Sequence, residues 1–500
     1  MFDIVEGRAN RITALLAGYF VLCVCLRLSV STSLEIDEAE QAFVSQFLQL
    51  GYGSQPPFYN WLQYGLGAVL GPSLATMTAL KNLLLFLCCL FYGLAAREIV
   101  AQQRLVSIAM LGVLTLPPIF LLAQRDLSHT VAALFAVSLF LYGFLRTLTR
   151  PSLAAYALTG LAVGIGFIAK YNFVLLPAAA VIAVLCEPGL RARLFDWRIL
   201  VALAIAALIA LPHGWWILQN IRSASEGTLI EMREHHAEGR LAQAFDGLVS
   251  FISATIRGSA VPLVVFGLVF RKHLAAIWAA ENQWTRLIGR MLLICLAAVA
   301  VVILTVAATH IREKWLVLFL VLLPLYLCLK VDAAGIDARP MLRPFLLIVA
   351  FIVLGALVIV SARAIVQPYL GKYSRLSIPY ETLADALVKR EGREPALILA
   401  PDKMIAGNLR TRLRGANVII PDDVATRSVA TKTPLLVVWS DGGKAEPVLP
   451  EAFAAAMEAR GISATTASPQ VLSLPFLHGK PEDQYSFGYL WIDKAPGITN

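Results

Sequence analysis

Thr13-Ala-Leu-Leu-Ala-Gly-Tyr-Phe-Val-Leu-Cys-Val-Cys-Leu-Arg-Leu-Ser-Val30 runs into Ser33-Leu-Glu-Ile-Asp-Glu-Ala-Glu-Gln41, and this junction decides the class of fold. The first stretch is apolar for about 18 residues, enough for a helix to cross a hydrocarbon core of about 30 Å. It is long for the apolar region of a secretory signal, carries Arg27 near its end and lacks a small-residue cleavage pattern. An uncleaved first membrane span is therefore expected. Directly after it, Glu35, Asp37, Glu38 and Glu40 crowd into six positions, and no Lys or Arg occurs between Arg27 and Lys81.

Working outward, the same pattern recurs. The 500 residues are 58% hydrophobic and 15% charged, with mean hydropathy +0.71, whereas soluble domains carry nearer a quarter charged residues. Apolar runs fall near 12–31, 76–95, 105–122, 129–146, 153–168, 173–187, 199–217, 248–270, 291–309, 314–330 and 343–362. Only helices satisfy their own backbone groups in such runs. The expected fold is an all-α polytopic membrane bundle of about eleven transmembrane helices.

Loop charge orients it. The loops on one side carry Arg8 and Arg11, Arg97 and Arg104, Arg146 and Arg150, Arg191, Arg193 and Arg198, Arg271, Lys272, Arg286 and Arg290, then Lys330, Arg339 and Arg343. Basic loops mark the cytoplasmic face. The N-terminus is then cytoplasmic and residues beyond about 366 lie outside. The net charge of +9 follows from these loops and calls for no nucleic-acid partner. Cys23, Cys25, Cys88, Cys89, Cys186, Cys295 and Cys328 all fall in expected spans, which excludes a disulfide or zinc framework in the tail.

The tail reads differently. Pro395–Ala400, Asn417–Ile420 and Pro434–Ser440 have the composition of short buried strands, and 381–391, 403–413 and 450–460 that of amphipathic helices. Such alternation predicts a small α/β domain. The expected division is a membrane domain over 1–365, including the outer loop 32–75, and a C-terminal domain over 366–500.

Charges on the expected outer face are the candidates for chemistry, because charge at that depth is costly unless paired or functional. Asp37 and Glu38 suit the positive N-terminal end of a surface helix; equally, a carboxylate there can activate a hydroxyl beside a lipid-borne substrate. In Gln55-Pro-Pro-Phe-Tyr-Asn-Trp61, Pro56 and Pro57 stiffen the chain, while Tyr59 and Trp61 suit the membrane interface. Arg125-Asp126 forms either a local ion pair or a site that positions an acceptor. Lys170 either snorkels or meets a lipid phosphate, and His310, Arg312 and Lys314 form a third cationic group. His235-His236 are adjacent and cannot readily share one metal. No Gly-rich phosphate loop follows a strand, which disfavours a nucleotide site.

These motifs, with Gly166-Phe-Ile-Ala-Lys-Tyr171, Leu211-Pro-His-Gly-Trp-Trp216, Arg312-Glu-Lys-Trp315 and Leu323-Pro-Leu-Tyr326, occur in a telling order. Over about residues 10–330 the chain resembles the GT-C glycosyltransferases of the protein O-mannosyltransferase and aminoarabinose transferase superfamily. Within them it looks most like bacterial galacturonosyltransferases of lipopolysaccharide. The resemblance implies inverting transfer of a monosaccharide from a polyprenyl-phosphate donor to lipid A, lipopolysaccharide or another envelope acceptor on the periplasmic side of the inner membrane. It assigns catalysis to Asp37 and its neighbour Glu38, and acceptor positioning to Asp126 and Tyr59. Donor phosphate binding goes to Arg125, Lys170, Arg312 and Lys314, with Gln55, Pro56, Pro57 and Trp61 shaping the loop. Aminoarabinose transferases usually carry Lys where this chain has Gln55, so a cationic contact is missing there. The resemblance assigns no certain cofactor; a divalent metal is possible, and if one binds it has Asp37 and Glu38 as ligands. Other enzymes of this architecture (a protein O-glycosyltransferase or an O-antigen ligase) and a transporter or flippase remain alternatives. The absence of repeated halves disfavours a transporter.

Overall fold

The computed structural model describes residues 2–232, 239–421, 423–462 and 468–493. His235 and His236 lie outside the described residues. Among the described residues, eight helices are long and apolar enough to cross a membrane, and the bent pair Gln103–Val113 and Pro118–Arg125, at 57°, makes up to nine. Two shorter apolar helices, Leu153–Ala169 and Tyr171–Leu185, occupy the expected spans at 153–168 and 173–187. Each of the eleven apolar runs thus has its helical counterpart, although those two are shorter than a bilayer requires of a straight helix.

The chain divides into two compact units. One comprises Met1–Val21, Gln49–Tyr59 and Lys81–Leu357; the other comprises Leu22–Leu48, Asn60–Leu80 and Val358–Asn500. The acidic segment after the first span therefore groups with the tail.

In the first unit, small residues let helices approach. A Cβ on Gly160 would stand 2.3 Å from the Ala202 carbonyl oxygen, so Leu153–Ala169 meets Ile199–Gln219 backbone to backbone, as small residues permit between membrane helices. Near 321 the late span is interrupted. The Tyr92 hydroxyl donates to the Val321 carbonyl at 2.7 Å and accepts from the Leu325 amide at 2.8 Å. It thereby bridges two groups that an unbroken helix would pair directly, and braces the Glu313–Leu320 helix from inside the bundle.

In the second unit, the strands are β1 (Leu397–Leu399), β2 (Asn417–Ile419), β3 (Leu435–Trp439), β4 (Gln470–Pro475) and β5 (Gln484–Ile492), in the order β2-β1-β3-β5-β4. The pairs β2-β1 and β1-β3 are parallel; β3-β5 and β5-β4 are antiparallel. Alternate residues Leu397, Leu399, Leu435, Val437, Leu490 and Ile492 share a buried core with Phe453 and Met457 of the Glu451–Glu458 helix. The helices at Tyr380–Glu391, Lys403–Arg412 and Glu451–Glu458 match the expected ones within two residues. β4 and β5 lie beyond the sequence expectation. Gln484-Tyr-Ser-Phe-Gly-Tyr-Leu-Trp-Ile492 carries the aromatic strand signal.

The acidic helix Ile36–Val44 docks on this domain. The Leu34 amide donates to Asn408 Oδ1 at 2.9 Å. The Gln46 side-chain amide exchanges two hydrogen bonds with the Val418 backbone, at 2.9 and 3.1 Å, capping the open edge of β2. Closest approach is at Gly407, where a Cβ would lie 2.1 Å from the Ala39 carbonyl oxygen. Gly407→Val should therefore destabilise this unit by at least about 1–3 kcal/mol through overpacking, read as a lower unfolding temperature of the purified protein.

Candidate active site

Arg27, at the end of the first span, folds back on the acidic helix. Its Nη2 donates to Glu38 Oε2 at 2.6 Å and to the Ser33 carbonyl at 2.7 Å. Its Nη1 reaches the Ser31 carbonyl at 2.8 Å, and Nε reaches Glu38 Oε1 at 3.3 Å. The guanidinium and carboxylate are only 10% and 4% exposed. Glu38 Oε2 also accepts from the Glu35 amide at 3.1 Å, closing a capping box. Glu40 pairs with Lys403 at 2.5 Å. Two carboxylates of the stretch without Lys or Arg thus meet cations in space, supplied by residues the linear reading did not connect to it. Asp37 is half-buried in the first turn, beside the Arg27–Glu38 anchor and at the positive end of the helix.

In the other unit, a cleft of about 320 Å³ brings together Arg125, Asp126, His310, Arg312 and Lys314, which the sequence placed in two distant segments. Three local features shape it. The Leu116-Pro-Pro118 sequence bends the chain into a short π-helix over Pro118–Leu122. Leu127 then takes a left-handed conformation, φ 78°, a strained state for a branched residue that local packing must hold. Across the cleft, the Glu313–Leu320 helix begins, so the positive end of its dipole lies there.

Arg257 joins the cleft, unforeseen from the sequence. It sits inside the apolar Arg240–Val269 helix, pairs with Glu313 and donates to Ser253 Oγ at 2.6 Å. The available signal was a lone arginine within the expected 248–270 span. The lining counts four permanent cations against two carboxylates, so the cleft favours an anion.

Lys170 does not line this cleft; its Nζ donates to Thr130 Oγ1 at 2.6 Å. Its neighbour Asn172 donates to the Trp315 carbonyl at 2.9 Å, tying the Lys170 turn to the segment that carries Lys314. Tyr59 is buried, with its ring 5.9 Å from that of His129. Pro56 and Pro57 are buried and Gln55 half-buried, in a turn closed by Tyr52–Gln55 backbone bonds. Just upstream, His213 Nδ1 bonds the Leu50 carbonyl at 2.7 Å and the Trp216 ring covers Gly51. The Leu211–Trp216 motif therefore holds the start of this turn. Trp61 is half-buried and belongs to the unit that holds Asp37. Among the described residues, no three His, Cys, Asp or Glu side chains gather as a metal site. With Glu38 committed to Arg27, the pair Asp37 and Glu38 does not fit a divalent ion.

Residues 54–216 match the family model described as dolichyl-phosphate-mannose-protein mannosyltransferase. The lipopolysaccharide core galacturonosyltransferases RgtA and RgtB of Rhizobium johnstonii are 42% and 43% identical to this chain. The alignments cover 96% of both chains for RgtA, and 97% of this chain and 98% of the relative for RgtB. The chain belongs to the lipopolysaccharide core galacturonosyltransferase family. It is a membrane glycosyltransferase with several apolar spans. Its fold is that of ArnT from Cupriavidus metallidurans, solved bound to undecaprenyl phosphate, with TM-score 0.64 over 99% of both chains. At 13% identity, that likeness carries the fold of the glycosyltransferase and not its substrate.

Proposed function

We propose that this glycosyltransferase moves a galacturonosyl residue from a polyprenyl-phosphate donor to the core of lipopolysaccharide, with inversion. The observation that carries the acceptor and sugar is near full-length identity above 40% to two proteins named for that activity. The cationic cleft of Arg125, Arg257, Arg312 and Lys314 supports the donor, since Arg and Lys meet a phosphate with charge-assisted hydrogen bonds.

The acceptor hydroxyl attacks the anomeric carbon opposite the phosphate. Its proton passes to Asp37, the anomeric carbon–oxygen bond breaks, and the lipid phosphate leaves with the electron pair. A phosphate is already a good leaving group, so the protein needs a base on one side and positive charge on the other. Glu38, held by Arg27, sets the position of Asp37. Asp126 and Tyr59 orient the acceptor, and Lys170 adds positive potential from the turn tied to Trp315.

The basic loops gathered on one side of the expected spans support an inner-membrane enzyme with that side cytoplasmic and its tail periplasmic. A reporter active only outside the cytoplasm, fused after residue 500, should be active; activity only of a cytoplasmic reporter would overturn this orientation. Purified protein given polyprenyl-phosphate galacturonate and lipopolysaccharide should release lipid phosphate and add one hexuronic acid mass to the core. Transfer to protein alone would overturn the acceptor. Arg257→Gln removes one cation and frees the Glu313 carboxylate to face the phosphate, so undecaprenyl phosphate should bind about tenfold more weakly. Unchanged binding by that variant would remove Arg257 from the donor site.

A further inference from the structure

A second cleft, of about 590 Å³, lies wholly within the unit that contains the tail. Its volume is in the range of about 300–1,000 Å³ usual for small-molecule sites. β1 leads through the Lys403–Arg412 helix to β2 on one side, and the chain then returns to β3 on the other side of β1. The order of strands reverses between β1 and β3, and open α/β sheets bind ligands outside the carboxyl ends of the strands at such a point. The cleft is lined there by Asp402 and Lys403, which follow β1, and by Ser440 and Gly442, which follow β3.

The lining has the chemistry of a hydroxyl-rich ligand. Tyr380 is only 3% exposed, yet its hydroxyl bonds no group among the described residues, and burial pushes that hydroxyl's pKa up so that it stays a donor. Tyr485 offers an aromatic wall, packed 4.8 Å from Phe487 and 5.6 Å from Phe476 by ring centroids. Arg375 is exposed at the rim and makes no ion pair among the described residues. A phosphate at the start of the Lys403–Arg412 helix is disfavoured, because the Asp402 carboxylate already accepts from the Ile405 amide at 2.9 Å. Sugar hydroxyls can donate to carboxylates such as Asp402 and Glu40, while the apolar face of a ring packs on tyrosine. The acidic helix supplies Ile36 and Glu40 to the same lining, and Asp37 is the neighbour of Glu40 three residues back on that helix.

We propose that this cleft is a saccharide subsite that holds the sugar portion of the acceptor, with Arg375 meeting an acidic substituent. It rests on the acceptor reading above and places a specificity determinant in the tail, next to the helix that carries Asp37.

The test uses the full-length protein in nanodiscs, without donor, and delipidated lipopolysaccharide core oligosaccharide as the probe, by calorimetry. Wild type should bind it. Tyr380→Phe, which removes only the hydroxyl, should bind about three- to tenfold more weakly, and Arg375→Ala at least about tenfold more weakly. Both should bind undecaprenyl phosphate as wild type does. No binding by wild type, or equal binding by both variants, would overturn the subsite. Cleft-dependent binding without any sugar transfer would leave the subsite standing and remove the proposed function. Transfer with an unchanged acceptor KM in both variants would do the reverse.

Discussion

Asp37→Asn should lower turnover by about two orders of magnitude or more, while the protein folds normally and binds undecaprenyl phosphate as before. The substitution keeps the size and much of the hydrogen bonding of the side chain and removes its basicity. Glu38→Gln is the companion measurement. Glu38 holds Arg27 and caps its own helix, so its neutral variant should lose stability first and turnover less. Near-normal turnover by Asp37→Asn together with an inactive but folded Glu38→Gln would move the base to Glu38. Near-normal turnover by both would take the acidic helix out of the chemistry.

Arg27→Met should be among the most destabilising single changes in this protein. It leaves the Glu38 carboxylate, 4% exposed, without its cation, and an unpaired buried charge of this kind costs about 3–5 kcal/mol. The Ser31 and Ser33 carbonyls lose their donor in the same step. Unfolding temperature in detergent reads the effect. The double variant Arg27→Met with Glu38→Gln should recover a large part of the loss, because no charge is then stranded. An Arg27→Met protein as stable as wild type would show that the pair does not anchor the helix.

Much of the architecture was legible because it follows from local chemistry. An apolar run long enough to span a membrane must be helical whatever it packs against, so the eleven runs could be placed from the chain alone. Short apolar strands between amphipathic helices announced the α/β tail for the same reason. The antiparallel β4 and β5 escaped, since their hairpin is completed by pairing of β5 with β3, about fifty residues earlier. The candidate site divided in the same way. Asp37, Arg125, Asp126, Arg312 and Lys314 stood out as charges beside apolar spans. Arg257 was masked by the apolar helix around it, and the partners of Glu38 and Glu40 lie 11 and 363 residues away.

Residue chemistry and periodicity by themselves determined that this is a multi-span helical membrane protein with an α/β tail and an acidic segment at the end of its first span. Only the tertiary structure decided that Arg27 pairs with Glu38 and Lys403 with Glu40, that Arg257 joins the cationic cleft, and that the Tyr380 hydroxyl, in a cleft at the strand ends, bonds no group among the described residues. The physical reason is range. Hydrophobic burial acts residue by residue and leaves its period in the sequence, whereas an ion pair or a cleft depends on which distant segments meet, and a one-dimensional pattern carries no trace of that meeting.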